Sequence, residues 1–275
     1  MLPSEGETAS YRRPAGRRMT LIIGLKTDDA LVLAAEQEEG CRIAAKRKVN
    51  KLRLVTNDDW AVVFGAAGDA AAGDNAMLRI ERELTSVHGL TQEQLQDIVD
   101  DVLATVHEKY IDPYKQHEGI SLVIGAALGD ELHLLSTIKR TSQFQDFTAY
   151  AGIGADVAIY FMERLRYSDI DWKHALKVAG FVVLQVKESS QYCSGESQMY
   201  VLQAPPNPRW RELASDECSM ELENNLVNHV GLAEHITERL KAIKFSPEGI
   251  TGYRDEHNPD PVDEWADLRT KDKIK

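Results

Sequence analysis

Apolar residues come first in short alternating or continuous runs and later at spacings of three and four. Thr20 to Lys26 and Ala30 to Glu36 read as two strands, joined across Thr27, Asp28 and Asp29, polar residues suited to a tight turn. Short strands are also expected at Arg42 to Ala45, Lys51 to Thr56 and Trp60 to Phe64, the last ending in Gly65-Ala66-Ala67-Gly68-Asp69. Met77, Ile80, Leu84 and Val87 then share one face of a helix from Ala70 to Val87, opened by Asp69 or Ala70. Thr91-Gln92-Glu93-Gln94 has the form of a capping box and opens a second helix, Leu95 to Tyr110.

Strand patterns return after Pro113. Ser121 to Leu128 and Leu132 to Thr137 flank Gly129-Asp130, a two-residue hairpin signal, and Phe147 to Ala151 reads as another strand. Helices follow from Ala155 to Tyr167 and from Trp172 to Lys187, then a strand from Met199 to Gln203. Grouped strands and paired helices make this an α+β chain rather than the regular alternation of a doubly wound sheet. Residues 1–19 are polar, Pro- and Arg-bearing and read as a loose leader, disordered or removed; 20–204 form the domain. Residues 205–275 are an extension, with one helix over Glu221 to Lys244 and a polar tail.

Composition narrows the function classes. The chain has 275 residues, 43% hydrophobic and 28% charged, enough to bury a core. Its net charge of −12 opposes binding to phosphate backbones and anionic lipid, so neither nucleic acid nor membrane is an expected partner. The longest apolar runs, Ala61 to Ala67 and Ile120 to Leu128, fall short of the roughly 20 residues of a membrane span. Cys41, Cys193 and Cys218 are widely spaced and lack a CxxC or paired histidines, which suits a reducing cytoplasm rather than a disulfide framework or a zinc site. No GxGxxG, GxxxxGK[ST] or HExxH motif occurs, and no cofactor or metal is implied.

Thr20 follows Met19, a bond that N-terminal processing can open, and translation starting at Met19 would serve equally. A freed Thr20 would carry an α-amine of pKa about 8 next to its own hydroxyl, a base able to activate a weak nucleophile. Taken alone, Thr20 reads as a β-branched residue beginning a strand. Lys51, near Lys46, Arg47 and Lys48, reads as a solvated charge, and Gly65 as a strand-to-helix turn. Cys193, His107, His133 and His174 read as isolated core or surface residues.

In combination these residues say more. Thr20-Leu21-Ile22-Ile23-Gly24, Val32-Leu33-Ala34-Ala35-Glu36, Lys51-Leu52 and Phe64-Gly65-Ala66-Ala67-Gly68-Asp69-Ala70 occur in one order at compatible spacing. The set resembles a proteasome β-type subunit from Thr20 to about Gln203. That resemblance implies an N-terminal nucleophile hydrolase, a four-layer αββα sandwich with the nucleophile on its first strand. It implies Thr20 as catalytic threonine, Lys51 as catalytic lysine, Glu36 as the acid that orients it, and the Gly65 N–H as oxyanion donor. Val49 and Val63 would line an apolar pocket beside the nucleophile. It further implies a homo-oligomeric ring and a peptide or unfolded protein as substrate; an unfoldase partner stays open.

Two positions depart from the family pattern. Gly152-Ile153-Gly154 matches a Gly-Ser-Gly element with Ile153 in place of the serine. Ser194-Gly195 matches a Ser-Gly pair, Ser194 joining the catalytic group, but the aspartate expected before it is replaced by Ser190 or Gln191. A threonine peptidase, a noncatalytic structural or binding subunit, and a small-amide hydrolase on the same fold are all compatible with this pattern.

Overall fold

The computed structural model describes residues 17–18, 20–39, 47–113, 119–165, 170–190, 193–203 and 210–213. Its strands are β1 (Arg17–Arg18), β2 (Ile22–Lys26), β3 (Ala30–Glu36), β4 (Glu38–Glu39), β5 (Arg47–Lys48), β6 (Leu52–Thr56) and β7 (Trp60–Asp69) in the first part. After helices α1 (Ala70–Thr85) and α2 (Gln92–Val106) come β8 (Ile120–Leu128), β9 (Glu131–Ile138), β10 (Thr141–Gln145) and β11 (Thr148–Ala151). Helices α3 (Ala155–Leu165) and α4 (Trp172–Ser189) precede β12 (Ser197–Gln203) and β13 (Trp210–Leu213).

The polar turn after β2 closes as its composition predicts. Thr27 N–H donates to the Ala30 carbonyl at 2.8 Å and its hydroxyl reaches Asp29 at 2.7 Å, so β2 and β3 pair antiparallel with Ile22 opposite Ala35. These two strands form the middle of one sheet, ordered β11-β2-β3-β12-β13. The other sheet runs β1-β7-β8-β9-β10, with β6 also paired to β7, and β4 and β5 make a separate two-stranded ribbon.

Alternation along β7 explains the layering. Val62, Phe64 and Ala66 are buried with Met77, Ile80 and Leu84 of α1 and Leu95, Val99 and Leu103 of α2. Val63 and Ala67 instead join Ile22, Leu31, Leu33 and Tyr200 in a core between the two sheets. A one-residue slip of β7 would exchange these two sets, so burial on both faces fixes its register. On the far side of the β11-β2-β3-β12-β13 sheet, α4 packs against β3 and β2 and α3 against β11, which completes the αββα order.

Helix starts follow local chemistry. Asp69 caps α1 by accepting from Ala72 N–H at 2.9 Å, and Thr91 and Gln94 form the reciprocal capping box of α2. β7 does not stop at Phe64 as the glycines suggest, but stays paired with β8 as far as Gly68 opposite Ile120. Small residues here allow close backbone approach without ending the strand. Five strands go beyond the sequence expectation, among them the two-residue strands β1, β4 and β5. β10 is a polar edge strand with little apolar alternation to announce it, and β13 pairs with β12 after three prolines. The expected strand Arg42 to Ala45, the helix Glu221 to Lys244 and the tail lie outside the described residues. Among the described residues no helix is long and apolar enough to cross a membrane.

One buried side chain ties the sheets together at the end where β6 begins. Gln198 of β12 accepts from the backbone N–H groups of Lys51 and Leu52 at 3.1 and 3.0 Å, and donates to the Leu52 carbonyl at 3.2 Å. Its own sheet therefore holds the first residues of the other. Gln198→Leu would strand three buried backbone groups and is expected to lower stability by at least about 1–3 kcal/mol, read as a lower urea midpoint. An unchanged midpoint would contradict this role.

Candidate active site

Strand pairing brings three residues, far apart in sequence, to one end of the sandwich. Thr20 and Leu21 lead into β2, and the antiparallel register sets them beside Glu36, the last residue of β3. Lys51 leads into β6, where the Gln198 amide holds its backbone. The Lys51 ammonium donates to Thr20 Oγ1 at 2.9 Å, to the Glu38 carbonyl at 2.6 Å and to Glu36 Oε1 in a short ion pair. Glu36 Oε2 accepts from the Glu38 N–H at 2.8 Å, and the Leu21 N–H also donates to this carboxylate.

Solvent is excluded from the trio. Thr20 and Glu36 are 0% exposed and Lys51 1%. An isolated charge at such depth would cost several kcal/mol, so each ion is tolerated only because the other, with hydrogen bonds, replaces water. Burial pushes the Glu36 carboxyl above the usual carboxylate range, while the Lys51 charge and the hydrogen bonds from Lys51, Glu38 and Leu21 act in the opposite direction. The arrangement is a threonine hydroxyl, a cation donating to it, and an acid orienting the cation. Such a site can favour loss of the hydroxyl proton once a base is at hand.

The glycines around the trio have steric reasons to be glycine. At Gly65 a Cβ would lie 2.6 Å from the Lys51 carbonyl oxygen, so β7 can approach β6 there only without a side chain. Gly152, at φ +100°, leaves no room for a Cβ, which would sit 1.8 Å from the Thr20 carbonyl oxygen. Gly154 N–H approaches that same oxygen at 3.5 Å. The Gly-Ile-Gly element thus seats the Thr20 backbone, whereas Ile153 is 40% exposed and supplies no polar group.

Other expected site residues are placed as follows. Ser194 donates its hydroxyl to the Glu38 carboxylate in a short hydrogen bond. Ser190 caps α4, and its side chain engages Cys193; Gln191 lies outside the described residues. Val63 is sealed in the inter-sheet core, and half-buried Val49 donates its N–H to the Gln37 carbonyl at 2.8 Å. Burial first, and Glu36 next, push the Cys193 thiol up to about 11, so at neutral pH it stays protonated and is no nucleophile. Among the described residues no group of His, Cys, Asp and Glu could hold a metal ion.

Two contributors escaped the sequence reading. Gln198 was announced only by being a polar residue inside an otherwise buried strand. Glu38 sits in the run Glu36-Gln37-Glu38-Glu39, where nothing separates a structural carboxylate from a solvated one.

The family model described as Proteasome subunit matches residues 18–202. The Proteasome subunit alpha of Methanothermobacter thermautotrophicus is 21% identical over 224 residues, covering 79% of this chain and 86% of that protein. Among solved structures, the Anbu (Gly-1) mutant from Hyphomicrobium sp. strain MC1 superposes with a TM-score of 0.66 at 15% identity, over 82% of this chain and 99% of that one. Anbu (ancestral beta-subunit) from Yersinia bercovieri gives 0.65 at 12% identity over 84% and 100%. Anbu from Pseudomonas aeruginosa, solved as a helical assembly of the Anbu complex, gives 0.65 at 13% over 83% and 98%. With the family match spanning most of the chain and the sandwich shared with these structures, the chain belongs to the proteasome subunit family.

Proposed function

We propose that this chain is a peptidase subunit whose nucleophile is Thr20, acting once the residues before it have been removed. The observation that carries the reading is the buried contact of Lys51 Nζ with Thr20 Oγ1 at 2.9 Å, with Glu36 behind the lysine. A buried carboxyl raised by desolvation and paired with a specific cation against a hydroxyl is the kind of arrangement found at reactive sites.

In the proposed reaction the Thr20 oxygen attacks the substrate carbonyl carbon while its proton passes to the free α-amine. The Gly65 N–H stabilises the oxyanion, the amine returns the proton to the leaving nitrogen as the C–N bond breaks, and water then hydrolyses the threonyl ester. A peptide suits the site because β1, immediately upstream of Thr20, already lies antiparallel on β7 with Arg18 opposite Gly68. An extended substrate can use the same strand edge.

A noncatalytic subunit is the second reading, favoured by one observation: in the intact chain Thr20 is fully buried. While a peptide bond precedes it, its nitrogen is no base. Processing separates the two readings. A homo-oligomeric assembly in the cytoplasm completes the proposal, supported by the family and by the helical assembly of the Pseudomonas aeruginosa relative.

With Thr20 as the first residue, Thr20→Ala is expected to lower peptidase kcat/KM by more than about 10³-fold; full activity in that variant would sink the reading. In the same assay, log kcat/KM should fall with decreasing pH as the amine protonates. It should steepen by a further unit of slope at a second bend above 4.5, where Glu36 takes a proton and Lys51 loses its counter-charge. A slope that stays constant through that range would contradict the role of Glu36. Sedimentation at physiological concentration should show a multi-subunit particle, and a monomer would count against assembly.

A further inference from the structure

We propose that Glu38 is a positioning residue whose carboxylate, by accepting the Ser194 hydroxyl hydrogen, pins the backbone carbonyl on which the Lys51 ammonium rests. The inference rests on Thr20 being the nucleophile and assigns a role to a residue outside the threonine, lysine and acid of that reading.

An ammonium has three hydrogens to place, and among the described residues the Lys51 ammonium donates to Thr20 Oγ1, Glu36 Oε1 and the Glu38 carbonyl. The first is the reacting oxygen and the second is the counter-ion. The third is a backbone atom on a short ribbon strand, so the direction of the Lys51 head group depends on what fixes Glu38. Three contacts do so. Its N–H donates to Glu36 Oε2 at 2.8 Å, its carboxylate accepts from Ser194, and Gly195 closes against it. Gly195, at φ +81°, stands so near that a Cβ there would lie 2.9 Å from Glu38 Cβ.

The Ser194 contact leads back into a rigid element. Lys187 near the end of α4 donates to the Gly195 carbonyl and to Ser197 Oγ, both at 2.7 Å, and so holds the loop from which the serine projects. A continuous set of bonds therefore runs from α4 through Lys187, the Ser194-Gly195 corner and Glu38 to Lys51 and Thr20. A hydrogen bond to a carboxylate is about twice as strong as one between neutral groups, which makes the Glu38–Ser194 link a firm member of the set. Neither Ser190 nor Gln191, the two residues that can stand where the family pattern has an aspartate, carries a carboxylate, and Ser190 turns to Cys193. The carboxylate that Ser194 meets is that of Glu38.

The test uses the assembled protein with Thr20 as its first residue and compares Glu38→Ala, Ser194→Ala, the double variant and Glu38→Gln. Each alanine variant should lower kcat by about 10- to 100-fold, the range seen when groups supporting a reactive site are lost. KM should stay within about twofold, because substrate binding is untouched. The double variant should be no slower than the slower single one, and Glu38→Gln, which still accepts from Ser194, should recover part of the rate. Effects that multiply in the double variant, or full kcat in Glu38→Ala, would overturn the proposal. If Thr20→Ala stays active, the nucleophile reading falls instead. The Glu38–Ser194 contact is then judged by urea midpoints of the same proteins, which should shift non-additively and would refute the contact if they added.

Discussion

A buried cation sets the terms for this end of the molecule. Lys51 is almost wholly withdrawn from solvent, and its charge is supported there by Glu36, Thr20 and the Glu38 carbonyl. Removing one partner would leave an uncompensated charge, a larger penalty than an exposed pair could ever contribute. β2 and β6 must therefore begin, and β3 end, where they do, in fixed relation to one another. That relation is what the proposed chemistry requires: an oxygen held against a cation, and an acid behind it.

The sandwich supplies this relation through contacts that are mostly not catalytic. Gln198 grips the backbone ahead of β6 from the facing sheet, and Gly152 lets the β11 end close on the Thr20 carbonyl. Gly65 brings β7 against the Lys51 backbone. Each is a case in which one added atom, or one missing amide, would be felt directly at Lys51 or Thr20. Stability and site geometry are thus supported by the same bonds, and substitutions at these positions act on both.

Much of this was legible in the sequence, and the rest was illegible for physical reasons. The β2–β3 hairpin, the caps at Asp69 and Thr91 and the Gly129-Asp130 turn are local, so propensity and spacing suffice to find them. Thr20, Glu36, Lys51 and Gly65 stand out in the sequence through the order of motifs rather than through any single residue, and the fold brings Thr20, Glu36 and Lys51 into contact. Read alone, Lys51 looked like a solvated charge, and only tertiary structure reveals it as buried. Glu38 and Gln198 act through partners more than a hundred residues away, Ser194 and Lys51 respectively, and no local pattern encodes such a pairing. The polar edge strand β10 was missed because one solvated face removes the alternation on which strand recognition depends.

The central claim is that a freed Thr20 is chemically competent because Lys51 and Glu36 are placed against it. The most direct measurement is covalent labelling by a β-lactone, followed by intact-mass and peptide mapping, on protein that begins at Thr20 and on protein that retains the preceding residues. The account predicts one adduct, on Thr20, in the first protein, none in the second, and loss of the adduct in Lys51→Ala. Protein that begins at Thr20, is folded and takes no label would contradict it.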